Sequence, residues 1–286
     1  MNHRTNAVWF FLLIILASVI ALQILSMVRS DRFYVALNKI EDVIEEGVNP
    51  QDKPGGLHAV EEYPGEDGDW LIWAFRVEPK TLNQINVDSD IYSRWITELN
   101  IFEPLMAYDF DAMKLKPYLA DSYEISDDGL EIMFHLRDGI CFSDGVPITA
   151  DDVIFTYQTI IDPNVDAANL ANLYFDVDRV ERTSERAVKF YMKRPYFKAL
   201  EALSLWDIGV YPKHIYQFTD AKQFNHRVSN PIGSGPYVFE RWDTGKEVVL
   251  RRNENYWGPK PHIKKVVYKF ITNPIAAVQA LRAHQI

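Results

Sequence analysis

The side chains able to do chemistry in this chain are scattered along it. Seven histidines (His3, His58, His135, His214, His226, His262 and His284) occur in 286 residues without an HExxH pair or paired cysteines, so zinc-ligand spacing is absent. The phosphate-cradling pattern GxxxxGK[ST] does not occur. Ser234 lies in Gly233-Ser234-Gly235, but a nucleophile elbow needs glycine two residues to either side, where Ile232 and Pro236 stand. The acid clusters Asp88-Ser89-Asp90 and Asp127-Asp128 could pair for acid–base work or hold calcium, yet neither has the spacing of a twelve-residue calcium loop. Asp127 and Asp128 read as turn acids, and His135 as a packing or edge histidine of a strand. Cys141 is the single cysteine, so no disulfide forms within the chain. Set between Ile140 and Phe142 with no basic neighbour, it reads as a small buried hydrophobe. No nucleophile, base and orienting group assemble, and the expectation is a protein that is not an enzyme and needs no cofactor or metal.

Composition narrows the partners. Forty acidic residues against 30 basic ones give a formal charge of −10, which disfavours a phosphate backbone and excludes nucleic acid. Seven Trp, 15 Tyr and 16 Phe make the chain rich in rings, which supply broad contact area for a core, an interface or a ligand cleft.

The elements that must position any site start after a long apolar segment. Residues 8–28 (VWFFLLIILASVIALQILSMV) carry no charge, and about 20 such residues span a hydrocarbon core of about 30 Å. A cleavable signal peptide is the competitor, but its apolar region is shorter and ends at a small-x-small site, which Leu25-Ser26-Met27-Val28 does not offer. Residues 1–30 are therefore read as a retained membrane anchor. Arg4 before the span and Arg29 and Arg32 after it leave orientation nearly unvoted; the amino terminus is placed in the cytoplasm so that the body is exported. Residues 31–69 form a juxtamembrane helix over 31–46 and then a linker rich in Pro, Gly and acids.

The globular part begins at Trp70. The run Trp70-Leu71-Ile72-Trp73-Ala74-Phe75 predicts a buried strand. Residues 91–99 have helical spacing, and residues 131–136 predict a strand after the turn Ser126-Asp127-Asp128-Gly129. Thr149 caps a helix over 150–161, its hydroxyl reaching a first-turn amide, with Asp151 and Asp152 at the positive end and Asp162-Pro163 beyond it. Residues 187–192, 237–239, 247–250 and 265–271 alternate as strands, and Pro274 opens a helix to Ala283. This order predicts an α/β fold with an inserted subdomain.

Several stretches together resemble a known family. Asp128-Gly129-Leu130, then Phe134-His135-Leu136-Arg137-Asp138-Gly139-Ile140, then residues 142–153 (FSDGVPITADDV) resemble the signature of the family 5 extracellular solute-binding proteins, the dipeptide, oligopeptide and nickel binders of ABC importers. Pro117-Tyr118-Leu119-Ala120-Asp121-Ser122, Gly233-Ser234-Gly235-Pro236-Tyr237, Leu250-Arg251-Arg252-Asn253 and Tyr256-Trp257-Gly258 follow in the family's order. Glu78-Pro79-Lys80-Thr81-Leu82-Asn83 is similar to the family's first-strand loop, although that loop usually continues Asp-Pro where this chain has Asn83-Gln84. Locally, Gly233 and Gly235 are suited to close backbone approach where the chain rejoins the main sheet.

The resemblance implies a periplasmic-binding-protein-like fold of class II with an extra small subdomain, here its first lobe. Residues 70–102 and 187–271 would form the main subdomain, 103–186 a small inserted subdomain, and 272–286 the start of a truncated second lobe. It implies capture of a peptide or other small solute in a two-lobed cleft, outside the cytoplasm, for delivery to ABC permease subunits. Contacts from the first lobe map onto Asp88, Ser89, Asp90 and Tyr92, with Asn169 as a further candidate. The acid that meets a peptide's α-ammonium would lie in the second lobe, and a half-cleft alone is expected to bind weakly. The competing classes are a membrane-tethered sensor or scaffold using the same lobe for protein contact, and an extracellular hydrolase.

Overall fold

A computed structural model describes residues 68–109, 111–205, 208–283 and 285–286. The expected membrane span, the juxtamembrane helix and the linker up to residue 67 lie outside the described residues. Among the described residues no helix is long and apolar enough to cross a membrane.

The main sheet has the order β1-β10-β9-β8. Strand β1 (Trp70–Phe75) runs parallel to β10 (Lys265–Phe270), while β9 (Glu247–Arg252) and β8 (Tyr237–Asp243) are antiparallel additions. The consecutive buried runs Val248-Val249-Leu250 and Val266-Val267-Tyr268 show inner strands covered on both faces. The expectation of a buried β1 is corrected. It is an edge strand, with Trp70 58% and Trp73 50% exposed and only Phe75 fully buried. An apolar run reports strand length, not how many neighbours the strand has.

The second sheet, β4-β5-β7-β6, is antiparallel throughout. It comprises β4 (Ala120–Ile125), β5 (Glu131–Leu136), β6 (Val177–Ser184) and β7 (Ala187–Met192). The turn before β5 is built as its residues require: Asp128 Oδ1 accepts from Ser126 Oγ at 2.6 Å and from the Leu130 amide at 3.0 Å, and Gly129 takes a φ of +68°. A boundary at residue 186 would cut this sheet in two. Strand β7 pairs with β5 and β6 and not with the main sheet, because alternation predicts a strand without saying which sheet it joins. Strands β2 (Met106–Asp109) and β3 (Lys114–Pro117) form a separate hairpin.

One helix packs on the small sheet. It spans Ala150–Ile161 and sets Tyr157 edge-on to Phe190 at 5.6 Å. Its amino end is capped chiefly through Asp152, whose Oδ2 accepts from both the amide and the hydroxyl of Thr149 at 2.9 Å. Asp152 Oδ1 also accepts the Lys213 amide at 2.9 Å, so one buried carboxylate fixes a helix start and a distant loop. Cys141 departs from expectation: Ile140 and Phe142 turn inward and the thiol is only half-buried, as alternation about a bridge to Pro147 dictates.

The chain leaves the main sheet and returns to it along adjacent paths. The amides of Gly235 and Tyr237 donate to the carbonyls of Ile101 and Asn100 at 2.9 Å. A side chain at Gly233 or Gly235 would be driven into those same carbonyls, so the close approach read from the glycines is present. Buried side chains of both sheets then join in one hydrophobic core.

Candidate functional site

The loop after β1 is buried for six consecutive residues, Thr81 to Asn86, although four of them are polar. Each polar group meets a specific partner, as burial demands. Thr81 Oγ1 accepts the Asn83 amide at 3.0 Å, and the Gln84 amide donates to the Tyr211 hydroxyl at 2.9 Å. Asn83 and Asn86, three residues apart, donate their side-chain amides to the carbonyls of Phe224 and Asn225 at 3.3 and 3.1 Å. Those carbonyls lie at the end of a short helix, Ala221–Asn225, where intrahelical donors run out; the Phe224 carbonyl also accepts the Arg227 amide at 3.1 Å.

The chain surfaces next at the residues singled out from sequence. Asp88 is exposed, accepts Lys80 Nζ at 3.1 Å, and donates its amide to Asn86 Oδ1 at 2.8 Å. The Ser89 hydroxyl is buried without a hydrogen-bond partner among the described residues. Asp90 is the N-cap of the helix Ile91–Thr97: its Oδ1 accepts the Ser93 amide at 2.9 Å while Ser93 Oγ accepts the Asp90 amide at 3.2 Å. Tyr92 lies against Phe75 and Trp95, at ring separations of 5.0 and 5.7 Å. Trp95 stacks on Trp73 at 6.0 Å, and both rings remain about half exposed, an aromatic shelf beside the loop.

Asn169 sits exposed on a short helical turn, Ala168–Ala171, in the segment that follows the helix Ala150–Ile161. The two segments meet where the Val87 amide donates to the Asp166 carbonyl at 2.6 Å. Beside this contact lies a groove of about 730 Å³, lined by Lys80 and Asp88 together with Asn164, Asp166, Lys222, Asn225 and His226 among others. Of the five residues singled out from sequence, Asp88 alone lines it. Ser89, Asp90, Tyr92 and Asn169 are not in the lining. The groove carries both signs of charge. His226 Nδ1 approaches the Lys222 carbonyl at 2.9 Å, and since a carbonyl only accepts, that nitrogen holds the proton and Nε2 is left to face a partner. Sequence reading missed Asp166, Lys222 and His226, which are distant in the chain; the Asn83-x-x-Asn86 spacing was the available local sign of a gripped helix end.

A second polar cluster joins segments distant in the chain. Glu103, fully buried, accepts from Tyr256 Oη at 2.6 Å and Trp257 Nε1 at 2.8 Å, and Tyr118 Oη lies 3.4 Å from Tyr256 Oη. Burial pushes the Glu103 carboxyl above its ordinary range, and the hydrogen bonds from Tyr256 and Trp257 pull it partly back. The same charge and burial hold the Tyr256 phenol far above its usual value. Among the described residues no three His, Cys, Asp or Glu side chains converge as metal ligands.

Comparison with known proteins agrees with this architecture. Residues 114–286 match the family described as bacterial extracellular solute-binding proteins, family 5 middle. Protein XP55 of Streptomyces lividans is 39% identical over 172 residues, covering 57% of this chain and 29% of that protein. The structure of NikZ from Campylobacter jejuni in complex with Ni(L-His) is 32% identical with a TM-score of 0.67, covering 78% of this chain and 43% of that one. The oligopeptide-binding protein AppA from Bacillus subtilis, in complex with a nonapeptide, is 29% identical with a TM-score of 0.70, covering 77% of this chain and 44% of that one. The chain thus spans less than half the length of these relatives. With an α/β periplasmic-binding-protein-like fold and a family match over more than half its length, the chain belongs to the bacterial extracellular solute-binding proteins, family 5.

Proposed function

We propose that this chain is the first lobe of an extracytoplasmic receptor that captures peptides and passes them to an ABC permease, held at the membrane by residues 8–28. The observation that carries the reading is the groove beside the loop after β1, where Asp88 and Asp166 lie with Lys222 and His226. Opposed charges suit a zwitterionic ligand. NikZ is described with a nickel complex and AppA with a peptide, so the family match admits both; the two-signed lining favours the peptide.

A closed site needs a second surface. The last helix, Pro274–Arg282, buries none of its residues, and Ile275, Val278 and Leu281 form a bare apolar row spaced at helical intervals. The bare edge of β1 and the greater length of the relatives support the same reading, in which a second lobe covers this side. Without it, a ligand keeps one face in water, where each ion pair contributes roughly 0–1 kcal/mol.

Titration calorimetry with Ala-X-Ala tripeptides tests this. The isolated 286-residue chain is expected to bind no tighter than about millimolar and the full-length protein about micromolar, with Asp88→Ala weakening the latter. Micromolar binding of Ni(L-His) but of no tripeptide would replace the peptide reading. Recovery of the intact protein in the soluble fraction of lysed cells would remove the anchor.

A further inference from the structure

We infer that Asn225 is a positioning residue of the groove, tying the loop after β1 to the loop after the helix Ala150–Ile161; the inference rests on the solute-capture reading above. Its side chain works in two directions at once. Oδ1 accepts the Asp166 amide at 3.0 Å, and Nδ2 donates to the Asn164 carbonyl at 3.1 Å. Its main-chain carbonyl accepts Asn86 Nδ2 at 3.1 Å, and Asn86 Oδ1 accepts the Asp88 amide at 2.8 Å. The Val87 amide then donates to the Asp166 carbonyl at 2.6 Å and closes a ring of hydrogen bonds through Asn86, Asn225, Asp166 and Val87. Only a primary amide presents a donor and an acceptor on one short planar group, so aspartate, leucine or alanine cannot make both contacts.

Four of the charged side chains of the groove hang from or beside this ring; the fifth, Lys80, pairs with Asp88. Asp166 is a member of the ring and Asp88 follows another, Val87, while Lys222 and His226 belong to or adjoin the helix that Asn225 ends. They are exposed, and pairs in water contribute little unless their backbone is held ready. The helix itself is anchored without the Asn225 side chain. Ala221 and Phe224 are buried, Asp220 accepts the Lys222 amide at 3.0 Å, and Asn83 grips the Phe224 carbonyl. Removing the Asn225 amide therefore frees a loop and leaves the fold in place.

The test uses the full-length protein, with hydrogen exchange across residues 84–90 and 162–169 and calorimetry with the tightest Ala-X-Ala tripeptide. In Asn225→Ala, exchange at Val87, Asp88 and Asp166 is expected to rise together, and Kd about tenfold. Asn225→Asp, which keeps the acceptor and loses the donor, should fall between. A control, Val249→Ala in the buried main sheet, should lower Tm at least as much and leave both readouts unchanged. A Kd within about twofold of wild type in Asn225→Ala, or an equal rise in the control, overturns the positioning role. Asp88→Ala separates the two readings. A loss of affinity there with none in Asn225→Ala sinks the positioning role alone. An unchanged Kd in Asp88→Ala, or no tripeptide binding at all, sinks the groove reading and this inference with it.

Discussion

Trp257 donates its indole N–H to Glu103 at 2.8 Å, joining residues 154 positions apart. Tyr256 takes the other carboxylate oxygen, so one buried acid holds the loop after β9 against the segment that leads into β2. Replacing Glu103 by Ala strands both donors and should cost about 3 kcal/mol of stability. Glu103→Gln should cost about 1 kcal/mol, because the amide oxygen can serve Trp257 while the Tyr256 hydroxyl turns to accept. Chemical denaturation of the two variants measures the difference; equal losses would contradict it.

The pH dependence follows from the same site. Glu103 has its pKa raised on folding, so the native state holds the proton more tightly than the unfolded chain. Its contribution is fully present below the ordinary value of 4.5 and is lost as pH rises through the folded value. The stability of wild type relative to Glu103→Gln should therefore decline from pH 4 towards pH 8, since glutamine does not titrate. A wild-type advantage that grows with pH would show that the carboxylate is favoured by its donors more than it is opposed by burial.

Gly235 passes so close to the Asn100 carbonyl that a Cβ has no room. Gly235→Ala should destabilise by about 3 kcal/mol or more, since backbone and not a flexible side chain must shift. Gly139, whose Cβ would meet nothing within 4 Å, has a φ of +73° and tests strain alone. Gly139→Ala should cost about 1–2 kcal/mol. Thermal melts showing the reverse order would refute the crowding argument.

Asp90 caps a helix, and that role can be separated from ligand contact. Asp90→Ala should lose about 1 kcal/mol, roughly 2–4 °C in Tm, and Asp90→Ser should recover most of it. If the cap is its whole contribution, Asp90→Ser also restores tripeptide affinity. Recovery of Tm without recovery of affinity would make Asp90 a ligand contact after all.

Ile275, Val278 and Leu281 are 50–70% exposed on one helix. In the 286-residue chain, the triple change Ile275→Glu, Val278→Lys, Leu281→Glu should alter stability by less than about 0.5 kcal/mol and reduce self-association seen by light scattering. A loss above about 2 kcal/mol would mean that the row is covered within this chain.

Local grammar was legible where its signals are strong. The strands Glu131–Leu136 and Ala187–Met192 and the helix Ala150–Ile161 stand where alternation, caps and the Asp-Pro stop put them, because those signals act between near neighbours. Strand β6 was not legible: Val177–Ser184 is charged and largely exposed, and becomes a strand only because β7 offers it an edge. The sequence by itself determined the family, the crowding glycines and the loop carrying Asp88. Only the tertiary structure decided that Asp88 shares a groove with Asp166, Lys222 and His226, and that Glu103 meets Tyr256 and Trp257. Such groups are joined by hydrogen bonds across tens to hundreds of residues, and no local periodicity records a partner that the chain meets only after it has folded.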